Sequence, residues 1–162
     1  MSGGRRALGA NLQSYLRVGV CTWIATLPGL RWELMSSCPF CDHAPSSLWI
    51  ESASALALWD GFPISEGHTL VVPRCHVASL FDLPPSETAS LWEFVTRVRA
   101  ELTNRFGVEA FNIGLNDGRA AGQTVMHAHI HVVPRRDGDV AEPRGGVRWV
   151  IPEKADYWTK RQ

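Results

Sequence analysis

In the run His127-Ala128-His129-Ile130-His131-Val132-Val133-Pro134, imidazoles alternate with small or branched apolar side chains, a pattern that suits one backbone geometry above all. A β-strand sends successive side chains to opposite faces, so His127, His129 and His131 fall on one face and Ala128, Ile130 and Val132 on the other. The segment is therefore predicted to be a strand with a chemical face and a core face, its histidines ~7 Å apart. Half of the chain's six histidines lie here. Taken alone, the triplet fits a metal-binding strand as well as a catalytic one, because histidine is the commonest metal ligand.

The segment ahead of it narrows the choice. Asn116-Asp117-Gly118-Arg119-Ala120-Ala121-Gly122-Gln123-Thr124-Val125 is a polar, glycine-punctuated loop, a type that can aim backbone N–H groups at an anion. Together, Asn116 through Arg135 resembles the signature of the histidine triad family of nucleotide hydrolases and transferases, in which His-φ-His-φ-His-φ-φ follows a Gly-Gln-Ser/Thr phosphate loop. The resemblance extends upstream through Leu56–His76, which looks like the family's first hairpin: an apolar strand, an acidic turn, the Gly67-His68 step, and a strand ending in Pro73-Arg74-Cys75-His76. It covers about residues 36 to 136. At the position of Asp60 it implies a carboxylate that accepts the ribose hydroxyls, although an aspartate after a strand is also an ordinary turn residue.

Cys38-Pro39-Phe40-Cys41 is a Cys-x-x-Cys pair that by itself fits a redox dithiol, half of a zinc site or two small hydrophobes. No βαβ pattern surrounds it, which weakens the redox use, and the His-x-Glu and Pro-Cys-x-x-Cys elements of zinc deaminases are absent. Zinc needs two further ligands. The resemblance to zinc-containing family members implies them: Cys38 and Cys41 with His76 and His127, a closed structural zinc site with no open position for substrate.

The resemblance also implies the chemistry. His129 matches the nucleophile, attacking the α-phosphorus of a dinucleoside polyphosphate or related nucleotide conjugate to give a nucleotidyl-histidine that water then hydrolyses. An imidazole with pKa near ~6.5 is largely neutral at cytoplasmic pH, and a backbone carbonyl on its other nitrogen would fix the useful tautomer. His131 and Asn116 are the remaining catalytic candidates. Gly122, Gln123 and Thr124 are the phosphate-loop candidates, with Gln123 expected chiefly to shape the loop. A phosphorolytic nucleotidyltransferase would use the same histidine, and a nucleotide-binding regulator with little turnover would keep the site.

Strands are expected at Leu48–Glu51, Ala55–Trp59, Thr69–Pro73, Ala110–Leu115 and His127–Pro134. Leu91, Phe94, Val95, Val98, Leu102 and Phe106 mark a helix over Pro85–Arg105 that starts at Pro84 and Pro85 and stops before Gly107. Trp92 and Phe94 are expected in the core rather than as nucleotide platforms. The fold class is α+β; the resemblance makes it a five-stranded antiparallel sheet with one long helix and a short helix, in a homodimer. Residues 35–136 form the domain and residues 1–34 an extension outside the pattern, with Trp23, Ile24, Leu27 and Leu30 a possible docking face. Residues 137–162 form a tail, too apolar to be unstructured, that packs on the domain or on the dimer partner. Its Arg144 or Arg148 are candidates for the outer phosphates. A net charge of zero implies no general attraction to nucleic acid or membrane. The apolar run in the extension is too short for a membrane span and lacks a clear cleavage site, which together with the cysteine pair points to a cytoplasmic protein.

Overall fold

The computed structural model describes residues 38–159. The expectations placed on residues 1–34, including the face of Trp23, Ile24, Leu27 and Leu30, lie outside the described residues. Five strands form one antiparallel sheet: β1 (Leu48–Glu51), β2 (Ala55–Trp59), β3 (Thr69–Pro73), β4 (Ala110–Gly114) and β5 (Ile130–Arg135), in the order β1-β2-β3-β5-β4. The α-helices among the described residues are a long one, α1 (Pro85–Phe106), and a short C-terminal one, α2 (Pro152–Ala155). No helix among the described residues is long and apolar enough to cross a membrane.

Register sorts the two faces. Ile50, Ala57, Val71 and Ile130 lie opposite one another across four strands and pack with the buried stripe of α1, Leu91, Phe94, Val95, Val98 and Leu102. The next row, Leu48, Leu58, Leu70 and His131, faces the other way and places an imidazole beside a smaller apolar cluster of Leu56, Leu58, Leu70 and Val72. The helix begins with a proline at its first position, where no N–H is needed, and ends at Gly107, whose φ of 64° supplies a left-handed cap with its N–H on the Thr103 carbonyl. Trp92 departs from expectation: it is 41% exposed. One residue on from Leu91 is about 100° around the helix, which turns Trp92 toward solvent while Phe94 stays in the core.

The histidine strand starts later than expected. β3 ends at Pro73, and the β3–β5 ladder runs only from Thr69↔Val132 to Val71↔Ile130. Beyond it the Ala128 N–H turns to the Val77 carbonyl at 2.7 Å, so His127 and His129 precede the strand and only His131 lies within it. Likewise β4 stops at Gly114, one residue before the expected end. After β5 the tail forms a 3-10 turn, Gly146–Val150, that lies against β4.

Candidate functional site

The divergence of the chain before β5 separates the three histidines by environment. The His127 ring is fully buried, and its Nε2–H donates to the Pro73 carbonyl at 2.9 Å. That bond fixes the proton on Nε2 and leaves Nδ1 as a bare acceptor. This nitrogen stands 3.4 Å from the Cys38 sulfur and 3.6 Å from that of Cys41, while Cys41 lies 3.3 Å from Nδ1 of His76. The donor atoms of Cys38, Cys41, His76 and His127 all lie within 4.8 Å of one another. A tetrahedral zinc with bonds of about 2.3 Å to sulfur and about 2.0 Å to nitrogen has ligand edges of roughly 3.3 to 3.8 Å, so the cluster fits a zinc ion in composition and in spacing.

The electrostatics agree. Burial, and then the neighbouring Cys38, push the Cys41 thiol up to about 12, and a dication is the charge that lets such sulfurs bind as thiolates. Burial lowers His76 and takes His127 down to about 4, so both imidazoles are neutral, as ligands must be. Cys75, between Arg74 and His76, is buried and does not join the cluster.

His129 is turned differently. Its Nδ1–H donates to the His127 carbonyl at 2.8 Å, which places the lone pair on Nε2. The edge of Phe40 packs on the ring at 5.0 Å between centroids, and the His131 ring stands 5.1 Å away, closer than the ~7 Å expected of a flat strand. His131 in turn meets a residue to which the sequence reading gave no role. Nε2 of His68 is 3.0 Å from Nδ1 of His131, and Nδ1 of His68 is 3.3 Å from an Asp60 carboxylate oxygen. The other oxygen of Asp60 accepts the Phe62 N–H at 2.8 Å, which holds the carboxylate in place. Burial, then the neighbouring His129 and His68, bring His131 down to about 4 against the opposing pull of Asp60; burial also lowers His68. The signal for His68 was the Gly67-His68 step, but a single histidine after a glycine has no pattern until β3 is set beside β5.

The loop before the triad is closed by one side chain. Gln123 is 6% exposed; its carbonyl oxygen accepts the Gly118 N–H at 2.8 Å, and its amide donates to the carbonyls of Ala78 and Val125 at 2.8 and 3.1 Å. The backbone N–H of Gly122 goes to Arg119 and that of Gln123 to Gly118, within the loop itself. The amide and hydroxyl of Thr124 have no acceptor among the described residues, so of the three loop residues Thr124 is the one with donors left for an anion. Asn116 is half-buried, and its side chain makes no hydrogen bond among the described residues. The tail arginines, in contrast, are engaged: Arg144 pairs with Glu142 at 2.8 Å and covers the Trp158 ring, while Arg148 donates to the Lys154 and Ala155 carbonyls and covers Tyr157. Trp149 donates to the Arg144 carbonyl at 2.9 Å. Both guanidiniums are thus engaged within the tail.

Comparison with known proteins supports the same region. A family model described as "HIT domain" matches residues 42–138. Adenylylsulfatase HINT3 from Arabidopsis thaliana is 34% identical over 110 residues, 65% of this chain and 56% of that protein. An asymmetrical bis(5'-nucleosyl)-tetraphosphatase from Schizosaccharomyces pombe is 45% identical over 80 residues, 49% of this chain and 44% of that enzyme. The match thus spans about half the length of either enzyme. Among solved structures, a Zn-bound histidine triad family protein from Mycobacterium smegmatis superposes with a TM-score of 0.60 at 39% identity, covering 65% of this chain and 80% of the other.

Proposed function

This chain belongs to the HIT domain family, and on that premise we propose that it is a nucleotide hydrolase in which His129 attacks the α-phosphorus of a dinucleoside polyphosphate or related nucleotide conjugate. The observation that carries the reading is the 2.8 Å bond from His129 Nδ1–H to the His127 carbonyl, because it keeps the proton on Nδ1 and leaves the lone pair of the tautomer on Nε2, the nitrogen that would attack. In the first step the Nε2 lone pair forms an N–P bond while the bond from phosphorus to the leaving group breaks. In the second, water adds to phosphorus, gives up a proton, and the N–P bond returns its electrons to the ring, releasing a nucleoside monophosphate.

The other residues act around that centre. The Thr124 N–H and hydroxyl bind an equatorial phosphate oxygen, and His131, held by His68, stabilises charge on another. Asn116 sits where the bridging oxygen departs, Asp60 accepts ribose hydroxyls, and Gly122 and Gln123 hold the loop to its shape. Cys38, Cys41, His76 and His127 would hold a structural zinc, which supplies a cross-link and no reactive position. The relatives are a nucleoside tetraphosphatase and an adenylylsulfatase, so dinucleoside polyphosphates and adenylyl sulfates are the substrate classes to try first. The same reading includes a homodimer acting in the cytoplasm without nucleic acid.

Purified protein incubated with a diadenosine tetraphosphate, an adenylyl sulfate and an adenosine phosphoramidate, each with and without added phosphate, tests it. Release of adenosine monophosphate unaffected by phosphate is expected. A nucleoside diphosphate formed only with phosphate would make the protein a phosphorylase, and no product from any substrate would remove the hydrolase reading.

A further inference from the structure

A polyphosphate leaving group brings several negative charges to a site that holds the Asp60 carboxylate beside His68 and His131, with Arg105 in the same cavity lying over the Trp59 ring. A further guanidinium free to reach the outer charges would favour such a substrate. The tail arginines are engaged within the tail, and the two arginines that follow the triad are also paired, Arg135 with Asp139 at 2.6 Å and Arg136 with Glu66 at 3.1 Å. Arg119 is different. It is exposed, and among the described residues its guanidinium makes no hydrogen bond, ion pair or ring contact.

Its place in the loop is fixed although its side chain is free. Gly118 and Gln123 clasp each other twice, through Gly118 N–H to the Gln123 side-chain oxygen at 2.8 Å and Gln123 N–H to the Gly118 carbonyl at 3.2 Å, and Gln123 ties the clasp to Ala78. Arg119 opens the single 3-10 turn inside that clasp, between Gly118 and Gly122 with φ of 84° and 91°. At about 2 Å rise per residue, its Cα stands about 6 Å along the turn from that of Gly122, within reach of one arginine side chain. The backbone that carries the phosphate-loop donors therefore also carries an unengaged guanidinium, a group suited to grip phosphate or sulfate oxygens with two parallel hydrogen bonds.

We propose that Arg119 is a specificity residue that receives the outer anionic part of the substrate, favouring leaving groups that are phosphate chains over uncharged or amine leaving groups. The proposal rests on the hydrolase reading above and adds to it which class of nucleotide conjugate the site prefers. The contact is solvent-facing, so its effect is of the order of tenfold and weakens with salt.

The test compares wild type with Arg119→Ala and Arg119→Lys in the full chain. For diadenosine tetraphosphate, kcat/KM should fall about tenfold in Arg119→Ala, with part of the loss recovered in Arg119→Lys. For an adenosine phosphoramidate it should fall no more than about twofold. A second measurement needs no turnover: calorimetric binding of a non-hydrolysable methylene-bridged dinucleoside tetraphosphate should weaken about tenfold in Arg119→Ala, while adenosine monophosphate binding shifts less than about twofold. Equal losses for both ligands, or none for either, would overturn the role of Arg119 whether or not the protein turns over. A wild type that binds with this difference but hydrolyses nothing would instead remove the hydrolase reading and leave Arg119 as a polyphosphate contact.

Discussion

The carbonyl of His127 accepts the Nδ1–H of His129 at 2.8 Å, while the ring of His127 belongs to the cluster with Cys38, Cys41 and His76. One residue thus serves two centres, its backbone orienting the proposed nucleophile and its side chain binding the proposed metal. The metal does not touch substrate on this reading, yet whatever loosens His127 also loosens the aim of His129.

Metal removal should therefore lower stability and activity together. Elemental analysis is expected to find one zinc per chain. A strong chelator should lower the melting temperature by several degrees, with turnover falling in parallel and added zinc beyond one equivalent giving no increase. Metal-free protein with the same melting temperature would return Cys38 and Cys41 to ordinary packing residues.

Substitution should separate the two neighbouring histidines. His129→Ala is expected to keep zinc and nucleotide binding and lose about three orders of magnitude or more in turnover, since no attacking nitrogen remains. His127→Ala should lose zinc and stability. Mass spectrometry after a quench at neutral pH should find a nucleotide adduct on wild type and not on His129→Ala; full turnover by His129→Ala would refute the assignment.

Stability should depend on pH through His131. Its folded value of about 4 lies below the ordinary 6.5, so as pH falls the unfolded chain takes up the proton first. The contribution is fully present above about pH 6.5 and is lost as pH drops toward about 4. Urea midpoints should fall over that window, and less steeply in His131→Asn. Because His68 is one of the groups that lower His131, His68→Asn should raise the His131 value without restoring it fully, the burial remaining. Histidine ring NMR titration checks this, and an unmoved His131 would show that the 3.0 Å contact has no electrostatic effect.

Gly67 should resist substitution. Its φ of 84° is unfavourable for any side chain, and an added Cβ would meet Phe106 Cε2 at 2.9 Å and Pro134 Cγ at 3.2 Å. Gly67→Ala is expected to destabilise by about 2 kcal/mol or more, the left-handed backbone costing about 1–2 of that. Denaturant unfolding within about 0.5 kcal/mol of wild type would mean the turn relaxes freely.

Much of this was legible from local pattern. The bounds of β1, β2 and β3 could be read directly because Ser, Asp or Pro stands at their ends, and the α1 stripe followed from its period. What could not be read depended on partners. The start of β5 is set by the loss of pairing beyond Val71, not by anything in His127-Ala128-His129 itself. Trp92 has the composition of a core residue, and only its angle on the helix turns it outward. Arg144 and Arg148 looked free because their acceptors are a side chain and carbonyls brought near by a fold of the tail. His68 gained a role only through the neighbour that topology gave it.

The strand order carries a further consequence for the order of assembly. Cys38 and His127 are 89 positions apart, and they meet only because β5 inserts between β3 and β4 after the whole of α1 has crossed the sheet. The β2–β3 hairpin can form early from local contacts, but it brings only His76 toward the cluster. A complete four-donor cage exists only once the most distant pairing in the domain has closed. Metal capture is then a late event that locks a finished sheet, and the rate at which zinc is taken up during refolding becomes a clock for β3–β5 closure.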